Sequence, residues 1–355
     1  MSKQETTPPE KLHIKGAGGM IISKSVLNGE QPLKWLFRDE APYGSGWVAF
    51  GAGDDDEYVN NADNLTIIDF NELIEMEPAA YNVYHMPVGT ELELCADKGE
   101  RFFVDCKTGK PILEPVKHPM QLAFEQNLRF LNQPEYPEEF WQGLFQANEF
   151  LQPFEVGEID LSTGELVLAD PLSYLGTKYQ TVLARQVAAG SYPVQLAVMR
   201  TRYAGLRYVA ARLLFSREPA VRHEIAMPKG YNPEDLGKPR VFSFFGVDAG
   251  LACFADMAQA QEYQRFAGQW YQANQGKNIY DDYFAGLFAQ SYEQRPEMQR
   301  QGGDFLCWQL PESGSRLIMF TSGLGDGVYS AYWGLDAAGA LVELVIPFMN
   351  PEFFR

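Results

Sequence analysis

The sequence predicts an α+β protein: a small N-terminal α+β domain, a helical connector, and a larger C-terminal domain of mostly antiparallel, sandwich-like β structure. Three observations carry this. At 355 residues the chain exceeds the roughly 250 to 300 residues that one hydrophobic core usually serves, so two cores are expected. Between positions 119 and 151 apolar residues recur at helical spacing, and from Pro153 onward short apolar runs alternate with turn signals. The expected boundaries are 1–97, 98–152 and 153–355.

Element by element, "GGMIIS" reads as a short apolar strand. A Ser-capped helical turn follows in "SKSVLNGE" and breaks at Asn28-Gly29 and Pro32, before an aromatic stretch around Trp35 and Phe37. "GWVAFGAG" is a second strand closed by glycines, and "LTIIDFNELIEMEP" runs from strand into a short acidic helix that Pro78 stops. "YNVYHMPVGTELEL" supplies an extended segment with a Pro-Val-Gly turn, and "RFFVDCKTGKPILEP" a hairpin turning at Lys107-Thr108-Gly109-Lys110. Two helices, separated by Pro134 and Pro137, form the connector.

In the last region "VGEIDLSTGELVLADP" reads as a hairpin with Ser162-Thr163-Gly164 at its tip. A longer hairpin turns at Tyr203-Ala204-Gly205, and further strands follow with one helical insertion near "MAQAQEYQRFAGQWYQ". "FFGVDAG" and "YWGLDAAG" echo each other, as two strands each ending in an Asp-and-Gly turn would.

Composition and charge narrow the function. With 46% hydrophobic and 21% charged residues the chain reads as globular rather than disordered. The start "MSKQETTPPEK" lacks the apolar core of a signal peptide and no run reaches a membrane span's length, so a cytoplasmic protein is expected. The net charge of -18 argues against nucleic acid as a partner. Four scattered cysteines and four scattered histidines give no disulfide framework and no metal spacing, so neither metal nor cofactor is expected. From Asp39 to Asp97 there are 14 Asp and Glu and no Lys or Arg, including the run Asp54-Asp55-Asp56-Glu57. Such a span is either a solvated face or a docking surface for a basic protein.

Several motifs invite chemistry. "GAGGMIISKS" nearly matches a phosphate loop, but Ser23 stands where the second Gly is needed, and Met20-Ile21-Ile22 favour a buried strand over a loop of free amides. A carboxylate site would draw on Asp170, Asp248, Asp256 and Asp326, acidic residues beside glycines at strand ends. All four also suit plain turns, which is the simpler reading. Arg200, Arg202 and Arg212 belong to the chain's one basic concentration, suited either to an anionic ligand or to pairing with acids of the same chain.

Two resemblances add to this. "GAGGMIISKSVLNGEQPLKWLFRDE", "GWVAFGAGDDDEYVNNADNLTIIDFNELIEMEP" and "MPVGTELEL" resemble a bacterial family catalogued as domain of unknown function 2185, grouped among immunity proteins of polymorphic toxin systems. "VGEIDLSTGELVLADPLSYLG" through "YPVQLAV", "FFGVDAGLACFAD" and "GDGVYSAYWGLDAAGALVELVIPF" resemble domain of unknown function 4241. Neither resemblance supplies a catalytic residue. They favour a cytoplasmic protein that works by binding, and with the acidic span the expectation is an immunity-type protein that captures a basic cognate toxin. Asp54, Asp55, Asp56, Glu57, Glu72 and Glu75 would form the charged surface, with Trp35, Trp47 and Tyr58 as aromatic anchors. The alternatives are a hydrolase-like enzyme using the four aspartates and an anion-binding module using the arginines. Oligomeric state has no signature in the sequence.

Overall fold

A computed structural model describes residues 12–133 and 135–355. The polar start that was read for a leader, and Pro134 between the connector helices, lie outside them. The chain divides into two compact units, the first reaching Leu122 and the second running Ala123–Arg355.

The first unit is a seven-stranded sheet. Its strands are β1 (Gly19–Ser23), β2 (Leu33–Arg38), β3 (Trp47–Gly51), β4 (Leu65–Asp69), β5 (Thr90–Asp97), β6 (Glu100–Asp105) and β7 (Pro111–Ile112), in the spatial order β4-β1-β3-β2-β5-β6-β7. Among the described residues only β1 and β3 run parallel. Asp97 falls inside the tight β5–β6 hairpin, where it pairs with Glu100, so the sheet continues past the expected boundary. Short helices α1 (Lys24–Leu27), α2 (Asp56–Val59), α3 (Phe70–Met76) and α4 (Ala80–Val83) lie between the strands. Ile22, Leu36, Ala49, Leu92 and Phe103 from the sheet pack with Val26, Phe70, Leu73 and Val83 from α1, α3 and α4. A capping box fixes the start of α3: Asp69 accepts from the Asn71 amide while Glu72 accepts from the Asp69 amide at 3.0 Å.

Helices α5 (Pro119–Leu131) and α6 (Glu138–Leu144) precede the second unit's strands. Those strands are β8 (Leu151–Leu161), β9 (Leu166–Ala169), β10 (Thr181–Val182), β11 (Gly190–Thr201), β12 (Gly205–Leu214), β13 (Arg222–Ile225), β14 (Phe244–Val247), β15 (Leu251–Asp256), β16 (Phe305–Gln309), β17 (Arg316–Thr321), β18 (Gly327–Ser330), β19 (Tyr332–Leu335) and β20 (Leu341–Pro347). Helices α7 (Met257–Ala273) and α8 (Ala285–Gln294) sit between β15 and β16, with a π-helical turn at Tyr280–Phe284. A six-stranded sheet, β13-β19-β20-β12-β11-β8, faces a five-stranded one, β10-β9-β15-β17-β16, and a β14–β18 pair completes the unit.

Strand periodicity explains the layering. Leu166 and Leu168, Ala252 and Phe254, and Ile318 and Phe320 turn to the core shared with the six-stranded sheet. Their neighbours Val167, Ala169, Cys253, Ala255, Leu317 and Met319 turn the other way, onto Ala260 and Tyr263 of α7 and Phe288 of α8. Burial on both faces is why "LVLA", "LACFA" and "LIMF" are unbroken apolar runs rather than alternating ones.

One expected hairpin is not formed. β8 pairs with β11 and β9 with β10 and β15, so Ser162-Thr163-Gly164 is a crossover between two sheets rather than a tip. The sequence showed two apolar runs and a turn, and had no means of showing that the runs join different layers.

Candidate functional site

The serines of "GAGGMIISKS" position the acidic loop. Both are buried: Ser23 and Ser25 share a 3.1 Å hydrogen bond, and the Ser25 hydroxyl donates to Asp54 Oδ1 at 2.5 Å. Asp54 Oδ2 accepts from the Gly51 amide at 2.6 Å. Burial alone would push the Asp54 carboxyl up, but these donors outweigh it and hold the group below its ordinary range. Lys24, the would-be phosphate lysine, donates to the Asp63 carbonyl at 2.7 Å. Ser23 occupies the expected cap position of α1, yet its side chain caps nothing and is spent on the Asp54 cluster.

The acidic residues therefore differ in what they are free to do. Asp54 is held inward, and Asp55 caps α2 by accepting from the Tyr58 amide at 2.9 Å. Asp56 and Glu57 are exposed in the first turn of that helix, and Tyr58 is half-buried. Glu72 serves the α3 capping box, and Glu75 is exposed. Trp47 is no surface anchor: at 1% exposure it packs on Phe70, with its indole N–H donating to the Tyr84 carbonyl at 3.1 Å. On alternating β3 it falls on the inner face with Ala49 and Gly51, where the ring is out of water. Trp35 is half-buried on the opposite face of the sheet.

That opposite face is the feature the sequence reading missed. Cross-strand register aligns Ile67 of β4 with Ile21 of β1, Ile21 with Val48 of β3, Val48 with Phe37 of β2, and Phe37 with Glu91 of β5. Ile67 is 73% exposed and Ile21 38%, and none of the four apolar residues belongs to the unit's hydrophobic core. The signal was present in "MII", "WLF", "WVAF" and "LTII": consecutive apolar residues make both faces of a strand apolar, whereas one solvated face calls for alternation.

In the second unit the four aspartates do not form one site. Asp170 follows β9 and is fully buried; it accepts from the Leu172, Asp248 and Ala249 amides at 2.9, 3.0 and 2.6 Å. Burial pushes its carboxyl up, and the amide donors only partly offset this. Asp248 lies beside it and accepts from the Tyr174 hydroxyl. Asp256 is at the other end of the same strand pair, where it pairs with Leu166 while Cys253 pairs with Ala169. It is fully buried and accepts from Ser162 Oγ, Thr163 N and Oγ1, Gly164 N and Ala258 N. Asp326 is exposed in the loop before β18.

The arginines are also dispersed. Arg200 faces Leu206 near the tip of the β11–β12 hairpin and Arg202 lies in its turn, whereas Arg212 faces Gln195 near the far end. Arg212 is already engaged. It donates to Gln195 Oε1 at 2.7 and 3.0 Å and to Glu343 Oε2 at 3.0 Å, and it stacks over Phe145.

Around this pair lies a groove of about 1430 Å³. Glu343 Oε1 is 3.0 Å from His223 Nε2, and Trp141 stacks on the imidazole with centroids 4.2 Å apart. Burial pushes the Glu343 carboxyl up, but the His223 hydrogen bond and the Arg212 charge outweigh it and hold the group below its usual range. The Arg212–Glu343–His223 set thus ties β12, β20 and β13 together, and each charge finds its partner within the sheet. Among the described residues no group of His, Cys, Asp and Glu suits a metal ion, and no helix is long and apolar enough to cross a membrane.

Comparison with known families divides the chain similarly. Residues 159–346, more than half of the chain, match a family described as Protein of unknown function (DUF4241). The chain belongs to that family. The DUF4241 match begins in β8 and ends in β20, and so covers both sheets of the second unit. Residues 20–105 match the Immunity protein Imm33 domain, from β1 through β6. The immunity grouping expected from the sequence thus stands, under the description Imm33 rather than domain of unknown function 2185. No curated protein and no solved structure matches the chain.

Proposed function

We propose that this DUF4241 protein is an immunity protein whose first unit binds and neutralises a cognate toxin of basic surface. The supporting observation is the coincidence of two features: the Imm33 match at residues 20–105, and within it the span from Asp39 to Asp97 that holds 14 acids and no Lys or Arg. A concentrated negative field speeds capture of a basic partner and penalises wrong ones. Asp56 and Glu57 are the loop acids available for this, since Asp54 and Asp55 are committed to internal hydrogen bonds. Neutralising a toxin inside the producing cell would place the protein in the cytoplasm. Binding requires no chemistry from the chain, which accords with Asp170, Asp256 and Arg212 already engaged as loop clamp, cap and sheet tie.

The test is co-expression with each candidate toxin domain found among the products of the neighbouring genes. The wild-type chain is expected to restore growth and to co-purify with the toxin, and D56K/E57K to slow association several-fold in low salt. A toxin neither bound nor neutralised by the wild-type chain would sink the reading.

A further inference from the structure

We infer that the bare face of the seven-stranded sheet is the core of the toxin contact, and that it takes a toxin surface presenting an apolar side chain between basic ones; this rests on the immunity reading above. An antiparallel sheet with one solvated side normally keeps that side polar. Here the inner face packs on α1, α3 and α4, while the outer face carries the Ile67–Ile21–Val48–Phe37 row across four strands. Beside that row Phe50 pairs with Trp35, and the Phe37 and Phe50 rings lie 5.9 Å apart. The row therefore broadens into an aromatic patch over β2 and β3. Interfaces of this kind draw most of their energy from a few apolar and aromatic residues at a centre from which water is excluded.

The charges around the patch choose the occupant. At the β4 edge, Asp69 shares the face with Ile67, two residues away on the strand, and is exposed, its carboxylate also capping α3. On β5, Glu91 ends the Ile67 row and Glu93 continues the Trp35 row. Their cations are Lys107, in an exposed pair 3.7 Å from Glu91 of the kind that contributes little, and Lys34, in a half-buried pair 2.5 Å from Glu93. The centre is thus apolar and the acids lie on both sides of it. A second copy of this chain is a poor fit, because a two-fold contact sets the same patch against itself and brings acidic rims together in a chain of net charge -18. A toxin with Lys or Arg around an aliphatic or aromatic projection matches both features.

The experiment uses the full chain, with the purified toxin domain that the co-expression test identifies as probe. Ile21 and Ile67 are the exposed members of the row, so I21T and I67K keep strand-compatible residues without opening the core; equal urea midpoints for variant and wild type establish that both are folded. The double variant is expected to bind at least about 30-fold more weakly, the scale of losing a hot-spot contact, and to lose protection. D56K/E57K is expected to act mainly on the association rate. If the wild type binds and protects and the double variant does so equally well, the face assignment is overturned and the immunity reading stands. If the wild type does not bind, both fall. A wild-type chain that sediments as a dimer, and that I67K converts to a monomer, would make the occupant a second copy and also overturn the proposal.

Discussion

Asp256 gives the sharpest test of whether the second unit's acids are architectural. Its carboxylate, fully buried, accepts five hydrogen bonds that join the β8–β9 crossover to the start of α7. In D256A the two hydroxyls have other options, but the Thr163, Gly164 and Ala258 amides lose their acceptor. The buried Gly164 donor costs about 1–3 kcal/mol when stranded, and the part-buried Thr163 and Ala258 amides add less because water can reach them. A loss of about 2–4 kcal/mol is expected, equal to roughly 10 °C in melting temperature for a unit of this size. D256N retains one acceptor but turns an NH2 group toward donors, and should fall in between. The assay is urea or thermal unfolding followed by near-ultraviolet circular dichroism. A group held for catalysis behaves in the opposite way, since functional sites store strain and removing the group tends to be neutral or stabilising. A D256A protein within about 1 kcal/mol of wild type would therefore refute the architectural assignment.

Other consequences follow from the same geometry. In G334A the new Cβ would sit 2.5 Å from Glu343 Cγ, forcing the carboxylate off His223 and Arg212; a loss of about 1–3 kcal/mol in urea unfolding is expected, more than for an exposed Gly→Ala change. W47A should cost about 3–5 kcal/mol, while W47F, measured per folded molecule, should leave toxin binding unchanged because the ring never reaches the surface. The folded-state pKa of Asp54 is depressed, so its contribution is present above the ordinary carboxylate pKa of about 4 and is lost as pH falls through the folded value. S25A removes one of its donors and should raise the pH at which the first unit loses structure in an acid titration; an unchanged midpoint would contradict the Asp54 account.

Local patterns in the sequence were read correctly where the physics is local. β1, β3, the β4–α3 step, the Lys107–Lys110 turn and the long β11–β12 hairpin all follow from runs, caps and glycines that lie within one element. Long-range pairing was not legible. Nothing in "VGEIDLSTGELVLADP" indicates that its two strands enter different sheets, because the deciding contact, Asp256 on the Ser162–Gly164 segment, lies about 90 residues away. Glu343 was passed over for the same reason: its partners His223 and Arg212 are 120 and 131 residues distant. The exposed Ile67 row was legible in principle, as consecutive apolar residues on neighbouring strands, but only once strand order was known.

The echo between "FFGVDAG" and "YWGLDAAG" shows what a repeated pattern can and cannot specify. Each Gly makes room for a side chain: a Cβ on Gly246 would lie 3.2 Å from the Tyr174 ring, and one on Gly334 would strike Glu343. The turn chemistry agrees in the second copy, where Asp336 accepts from the Ala338 and Ala340 amides at 2.9 and 2.8 Å. In the first, Asp248 looks outward to the Tyr174 hydroxyl and its own amide is held by Asp170. Identical local requirements, an aromatic strand, a close approach at Gly and a turn at Asp, thus end in different long-range partners. The echo carries packing at Gly and turning at Asp, and neither requires a shared ligand. A site built from the two copies would need Asp248 and Asp336 to converge, whereas Asp336 is satisfied within its own turn and Asp248 by the Tyr174 hydroxyl from a separate loop.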